Sequence, residues 1–488
     1  MAWAKGLEGP VLNIVTSDRS PLRVMAGPGT GKSFSLQRRV ARLLDEGTNP
    51  SRILAVTFTR NAAANLVEDL YSLGIDGCDK IRVGTLHAFC YSLLMRREVL
   101  ETVGRVPRPI ISFPSSGVMQ FEGAPLLADI MREIGCGTKR DGTKAVRAFE
   151  AAWARLQSEE PGWAFDHQDQ LFNDVLLGWL EFHQAILIGE LVPLALNYLR
   201  NNPACEERRA FDHILVDEFQ DLNKAEQVLI GVLAESCNQF VLGDPDQSIY
   251  SFRYARPEGI IEFGDMHAGT HDEALIECRR CPTRVVEFAD HLIHANYPKG
   301  SPPKLQPFKD NRSGEVAIVQ WEDLESEAKG IADFCRYVAD KEGYDARDIL
   351  ILCPRRIMAY GIRDALKDVG MDVHSYYHEE SLESLEAQKS LALLTLFCEK
   401  EDRVALRYWL GLGSDTWHAR GYANLRSHCE ENGQSPFEVM HALSAGNLRL
   451  PHTKPLTERF SALLQELHAL TELKGAALLD WLYPPGEE

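Results

Sequence analysis

The sequence has 488 residues, 45% apolar and 25% charged, the balance of a globular chain too long for a single core. A net charge of −19 argues against coating nucleic acid by bulk electrostatics but leaves room for a local basic groove with stacking surfaces. The longest apolar run, Leu391–Cys398, is under half the roughly 18 residues of a bilayer span, and the N-terminus lacks a signal peptide's apolar stretch, so a cytoplasmic protein is expected.

In chain order, Leu22–Ala26 reads as a first strand and a helix begins at Lys32. Between them lies Ala26-Gly27-Pro28-Gly29-Thr30-Gly31-Lys32-Ser33, the strand–glycine loop–helix context of a phosphate-binding loop. Glycines let backbone N–H groups turn inward around phosphates, beside a helix N-terminus that favours anions. Lys32 would place a point charge on the β- and γ-phosphates of ATP, and the Ser33 hydroxyl would ligate Mg²⁺. Residues Ala26, Gly27, Gly29, Thr30, Gly31, Lys32 and Ser33 are therefore the expected nucleotide site.

Strand Ile53–Thr57, the Ala-rich helix Asn61–Tyr71 and strand Ile81–Thr85 follow, and this alternation implies a parallel sheet covered on both faces. Residues 92–208 read as helical, with clear periods over Phe172–Trp179 and Ala185–Leu199. Strands return at Ile214–Val216 and Phe240–Leu242. The apolar run His213–Val216 ends in Asp217-Glu218-Phe219-Gln220-Asp221. The first acid at such a strand end can hold Mg²⁺, largely through water, and the next can deprotonate an attacking water. A second α/β unit is expected from about residue 275, with strands Glu315–Gln320 and Asp348–Cys353 around a helix Ser326–Tyr337; beyond 381 the chain reads as helical.

Eleven cysteines, odd in number and scattered through apolar segments, suit a reducing compartment. Cys278 and Cys281 form a C-x-x-C with no second pair nearby, which reads as free thiols rather than a zinc or iron–sulfur site.

Further segments, in order and spacing, resemble the superfamily 1 UvrD/Rep/PcrA-like DNA helicases. Ala55–Ala63 is similar to motif Ia, Gly84–Phe89 to the following T-x-H segment, Asp217–Asp221 to the extended Walker B, and Leu242–Arg253 to motif III. The resemblance implies single-stranded-DNA contacts from Thr57, Phe58, Thr59 and His87, with Tyr250 and Phe252 offering aromatic faces to bases. It makes Lys32, Asp217, Glu218, Gln247 and Arg280 the catalytic set, Gln247 sensing the γ-phosphate and Arg280 acting as an arginine finger. Glu277–Thr283 falls at motif IV, where Arg279 replaces the family's adenine-stacking Tyr; a guanidinium can also stack on a base. The family's adenine-reading Gln is absent near Val11, and no counterpart of motifs V or VI is found.

The resemblance thus implies an α/β fold of P-loop (RecA-like) parallel-sheet domains with helical insertions. A first RecA-like domain is expected over 1–91 and 209–274, a helical insertion over 92–208, the N-terminal part of a second RecA-like domain over 275–380, and an incomplete helical subdomain over 381–488. The implied activity is ATP- and Mg²⁺-dependent translocation or unwinding on single-stranded or tailed DNA, 3′ to 5′, in DNA repair, recombination or antiphage defence. A protein partner such as a nuclease or a repair or defence subunit is also implied, with the chain's remaining domain expected beyond residue 488. The alternative is an ATP- and DNA-binding regulatory or assembly subunit that does not unwind.

Overall fold

The computed structural model describes residues 2–108, 125–135, 139–164, 166–297, 305–374 and 384–483. Strands β1 (Leu22–Ala26), β2 (Ile53–Val56), β3 (Arg82–Gly84), β4 (His213–Val216), β5 (Asn238–Gly243) and β6 (His271–Leu275) form one six-stranded sheet in the order β3-β2-β4-β5-β1-β6. Every neighbouring pair is parallel. The period of two splits each apolar run between two cores: Ile53 and Ala55 pack with Leu36, Val40 and Phe240 on one face, and Leu54 and Val56 pack with Leu86, Val216 and Leu229 on the other. Burial on both faces is why these strands read as continuous apolar runs rather than alternating ones.

Strand β6 departs from expectation, since His271-Asp272-Glu273-Ala274-Leu275 is largely polar. An edge strand needs only one neighbour, and β1 supplies it, with Arg23 Nε donating to Asp272 Oδ1 at 2.6 Å. The first sheet therefore runs to Leu275, and residues up to Arg312 group with it.

The helices Pro125–Ile134, Lys139–Ala154 and His167–Phe182 build the inserted layer around Ile130, Phe149, Phe172 and Trp179. The helical period expected from Ala185 begins only at Leu191: Ala185–Ile186 pairs with Val106–Pro107, and the Glu190 carboxylate accepts from the Leu187 N–H at 3.0 Å. Five helices between Leu385 and Thr471 form a second helical layer with its own core of Trp409, Tyr422, Phe460 and Leu463.

The two helical layers meet through buried polar groups. Arg407, fully buried, donates through Nε and Nη2 to Asp129 at 2.8 and 2.7 Å, and Trp179 Nε1 donates to the same carboxylate at 2.9 Å. His183 is stacked on Trp179 at 3.7 Å between centroids, and its Nε2 lies 2.8 Å from the Tyr422 hydroxyl.

Residues Ser313–Ser384 form a separate compact unit. Helix Leu324–Glu342 covers the expected 326–337 and packs on helix Arg356–Asp368 through Ala332, Cys335, Ile362 and Leu366. The expected strands 315–320 and 348–353 carry no ladder; Ile318 and Leu352 are 85% and 84% exposed. An apolar period can mark a strand face, but a strand exists only where a neighbour takes its N–H and C=O groups. Among the described residues no helix is long and apolar enough to cross a membrane.

Candidate functional site

The C-terminal ends of β1, β2, β4 and β5 converge on one edge of the sheet, the edge at which open parallel sheets take their ligands. At the end of β1 the chain turns through Gly29 (φ +70°) and Gly31 (φ +98°) into the helix Lys32–Asp45. Only glycine holds those angles without strain. Thr30 Oγ1 donates to the Gly27 carbonyl at 2.8 Å and closes the loop on itself.

Lys32 is buried, with Nζ 2.9 Å from Glu218 Oε2; beyond that charge contact its ammonium has no hydrogen-bond acceptor among the described residues. Ser33 is exposed, and its hydroxyl is hydrogen-bonded to Asp217. Asp217 continues the sheet, its N–H donating to the Val56 carbonyl at 2.9 Å, and Glu218 turns out of it at φ +50°.

Carboxylates crowd around the one ammonium. Burial, and next the Glu218 charge, raise the Asp217 carboxyl above its ordinary value, with Lys32 and the bonds from Glu218 N–H and Ser33 opposing. The same two causes, burial first, push Asp221 up to about 6, and burial raises Asp244. Clustered acids resist sharing ionisation until a cation joins them. A hard oxygen donor set of Ser33 and Asp217 beside an incompletely bonded lysine fits Mg²⁺ with a phosphate chain.

The acidic strand end is wired to the β5 end through Gln220, a residue that sequence reading quoted without giving it a role. Its Nε2 donates to Glu218 Oε2 at 3.0 Å, and its Oε1 accepts from the Asp244 N–H at 3.0 Å. Gly243 makes room for it: a Cβ there would stand 2.4 Å from Gln220 Oε1. Gln247 Nε2 then donates to Asp244 Oδ2 at 2.6 Å. Lys32, Glu218, Gln220, Asp244 and Gln247 thus form one continuous chain of polar contacts.

Past Gln247 the backbone carries an aromatic ridge. Tyr250 lies against Phe58 from the end of β2, with centroids 4.5 Å apart, and against Phe252 at 5.8 Å. The Arg253 guanidinium sits 4.9 Å from the Phe58 centroid, and Phe252 is 72% exposed. Exposed rings flanked by a cation are the elements of a base-stacking platform.

The remaining residues singled out from sequence are engaged locally. Thr57 is buried and donates to the Thr59 carbonyl at 3.0 Å, while the Thr59 hydroxyl caps the helix Arg60–Ser72 by accepting from Ala62 N–H at 3.1 Å. His87 Nδ1 is 3.2 Å from Glu226 Oε1, and Glu226 is held by the cap of the helix Lys224–Ala234. Arg280 is exposed beside the glycine loop, where its Cβ would lie 2.9 Å from a Cβ on Gly29. Arg279 lies 4.7 Å from the Phe308 centroid and donates to Glu277 at 3.0 Å, so one face of its guanidinium has a partner.

Residues 9–109 and 159–268 match the UvrD/REP helicase N-terminal domain. The chain is 25% identical over 446 residues to the ATP-dependent DNA helicase PcrA of Bacillus subtilis, covering 89% of this chain and 59% of that protein. It is 30% identical over 302 residues to PcrA of Staphylococcus aureus (59% and 40% covered), and 26% over 495 residues to the ATP-dependent DNA helicase UvrD1 of Mycobacterium leprae (95% and 62%). The chain therefore spans about 40–62% of the length of these relatives.

Proposed function

We propose that the chain is a helicase of the UvrD/REP kind, an ATP-driven motor on single-stranded DNA. The carrying observation is the unbroken line of contacts from Lys32 and Glu218 through Gln220 and Asp244 to Gln247, three residues before the stacking ring of Tyr250. A change in charge at Glu218 is carried by hydrogen bonds as far as Gln247, and the backbone alone continues from there to the ridge.

In this reading the N–H groups of Gly29–Lys32 and the Lys32 ammonium hold the phosphate chain and neutralise charge that grows on it during transfer. Ser33 and Asp217 would hold Mg²⁺, which when bound draws charge from the phosphate oxygens. Glu218 takes a proton from the attacking water, and its left-handed backbone aims the carboxylate back at Lys32. Gln247, tethered to Asp244, senses the terminal phosphate, and Arg280 beside Gly29 offers a cation to the leaving charge.

At the ridge, Phe252 and Tyr250 stack bases while Phe58 and Arg253 back them. The 3′-to-5′ direction and a place in DNA repair are inherited from the family resemblance; no residue carries them. The test is steady-state ATP hydrolysis by this chain with and without single-stranded DNA, with Glu218→Gln as the blank. DNA-stimulated turnover that the variant lacks supports the motor. ATP and DNA binding without turnover would replace it with a binding subunit.

A further inference from the structure

The C-x-x-C pair left aside by the chemistry above lies against the phosphate loop. A Cβ built on Gly29 would meet Cys278 Sγ at 2.7 Å, and the Arg279 N–H donates to the Gly29 carbonyl at 2.9 Å. Cys278 is buried and Cys281 half-buried, and the two side chains are near enough to influence one another. Asn311 pins the turn between them: its Nδ2 donates to the Cys278 carbonyl at 2.7 Å and to the Cys281 carbonyl at 2.9 Å. The Cys278 carbonyl also accepts from Phe308 N–H at 2.9 Å. Two thiols three residues apart are thus held on a fixed turn, one against the glycine loop and the other half-exposed.

We propose that Cys278 and Cys281 are a thiol–disulfide modification site, oxidised by a low-molecular-weight disulfide of the glutathione type, that controls nucleotide affinity at the Gly27–Ser33 loop. The inference rests on the reading of that loop as the phosphate site. The Cys281 thiolate attacks the reagent's disulfide, forms a mixed disulfide and releases one thiol. The Cys278 thiolate then attacks Cys281 Sγ and displaces the second. Two protons and two electrons leave the protein, and the reagent departs as two reduced thiols.

A bonded pair of sulfurs stands about 2.05 Å apart, well inside any non-bonded contact, so Cys278 Sγ must leave its seat on Gly29. Because Asn311 fixes the turn's carbonyls, the displacement falls on the sulfurs and on Arg280 between the two cysteines, and the glycine loop loses its contact with the Cys278 sulfur while keeping the Arg279 N–H bond. Interior contacts of this kind do not shift without cost to their neighbours. Burial first, and then the adjacent Cys278, hold the Cys281 thiol above its ordinary value, so the reaction should speed up toward alkaline pH.

The whole chain and its Cys281→Ser variant would be equilibrated in glutathione buffers of graded potential. Affinity for a fluorescent ATP analogue and tryptic mapping would then be read together. Trypsin cuts after Arg279 and Arg280, so the disulfide leaves two peptides joined until reduced. The expected result is a 278–281 linked pair in the wild type and an affinity loss of about tenfold or more, restored by dithiothreitol and absent in Cys281→Ser. No linked pair, a linked pair with unchanged affinity, or an equal loss in Cys281→Ser would each overturn the inference while leaving the phosphate site standing. Failure of the reduced wild type to bind nucleotide would sink the phosphate-site reading and this inference with it.

Discussion

Lys32 Nζ lies 2.9 Å from Glu218 Oε2, so the cation assigned to phosphate and the carboxylate assigned to water hold one another. In the proposed function, a phosphate entering the loop would compete with Glu218 for Lys32, and the carboxylate it displaces would be the group assigned to take a proton from water. Nucleotide binding and arming of the base are then one event.

Removing the charge separates these roles. Glu218→Gln should lower the rate of ATP hydrolysis by roughly 10²–10⁴, the usual worth of a positioned proton acceptor. Binding of nucleotide should hold or tighten, because Lys32 is released. Titration with a non-hydrolysable analogue beside a turnover assay reads both, and a lost affinity would contradict the arrangement.

Lys32→Ala acts on the other half of the pair. It should remove measurable hydrolysis while the far-ultraviolet circular dichroism stays that of the wild type. Turnover comparable to the wild type would refute the phosphate-loop assignment.

The exposed ring of Phe252 packs against little, so its loss should spare the fold. Phe252→Ala should weaken single-stranded-DNA binding by about 1–3 kcal/mol per base lost from the stack, with basal hydrolysis retained. Fluorescence anisotropy with a labelled oligonucleotide measures the first and unstimulated turnover the second. Equal loss of both would make the ring a packing element.

Where the helical layers meet, Arg407 is fully buried and Asp129 depends on it. Arg407→Ala should destabilise the chain by about 3–5 kcal/mol, since it strands a buried carboxylate. Arg407→Met combined with Asp129→Leu should recover most of that. Chemical denaturation of the three proteins would show it, and a double variant no better than the single one would mean that packing, not charge, is at stake.

His183, in the same contact, is kept neutral by burial, which lowers its basicity well below the ordinary 6.5; the nearby Arg407, Arg426 and Arg403 add to this against the bond to the Trp179 carbonyl. The unfolded chain therefore takes up a proton before the folded one does. Stability from this group is complete above about pH 6.5 and declines as pH falls below it. Melting temperatures between about pH 7.5 and 5 should fall more steeply in the wild type than in His183→Gln; parallel slopes would exclude the histidine as the cause.

Much of the site was legible in one dimension. A glycine loop between a strand and a helix, and acids at the end of an apolar strand, are local patterns whose physics is complete within about ten residues. The glycine loop between strand and helix, the position of Asp217 and Glu218 at a strand end, and the order of strands β1 to β5 along the chain could therefore be read directly. Gln220 was visible but had no assignable role, because its partners Glu218 and Asp244 come together only when β4 and β5 pair. That Phe308 stands beneath one face of the Arg279 guanidinium was likewise not visible in the sequence.

Residues 315–320 and 348–353 show the limit from the other side: their apolar period was clear, yet no neighbour completes a ladder. Arg407 and Asp129 stand 278 positions apart, and nothing in either neighbourhood announces the other. The sequence by itself determined the strands Leu22–Ala26, Ile53–Val56 and His213–Val216 and where a glycine loop turns from strand into helix, since local sterics and hydrophobic periodicity act along the chain. The tertiary structure decided which polar groups become partners, because a buried charge or an open strand edge is satisfied only by whatever the fold brings within about 3 Å of it.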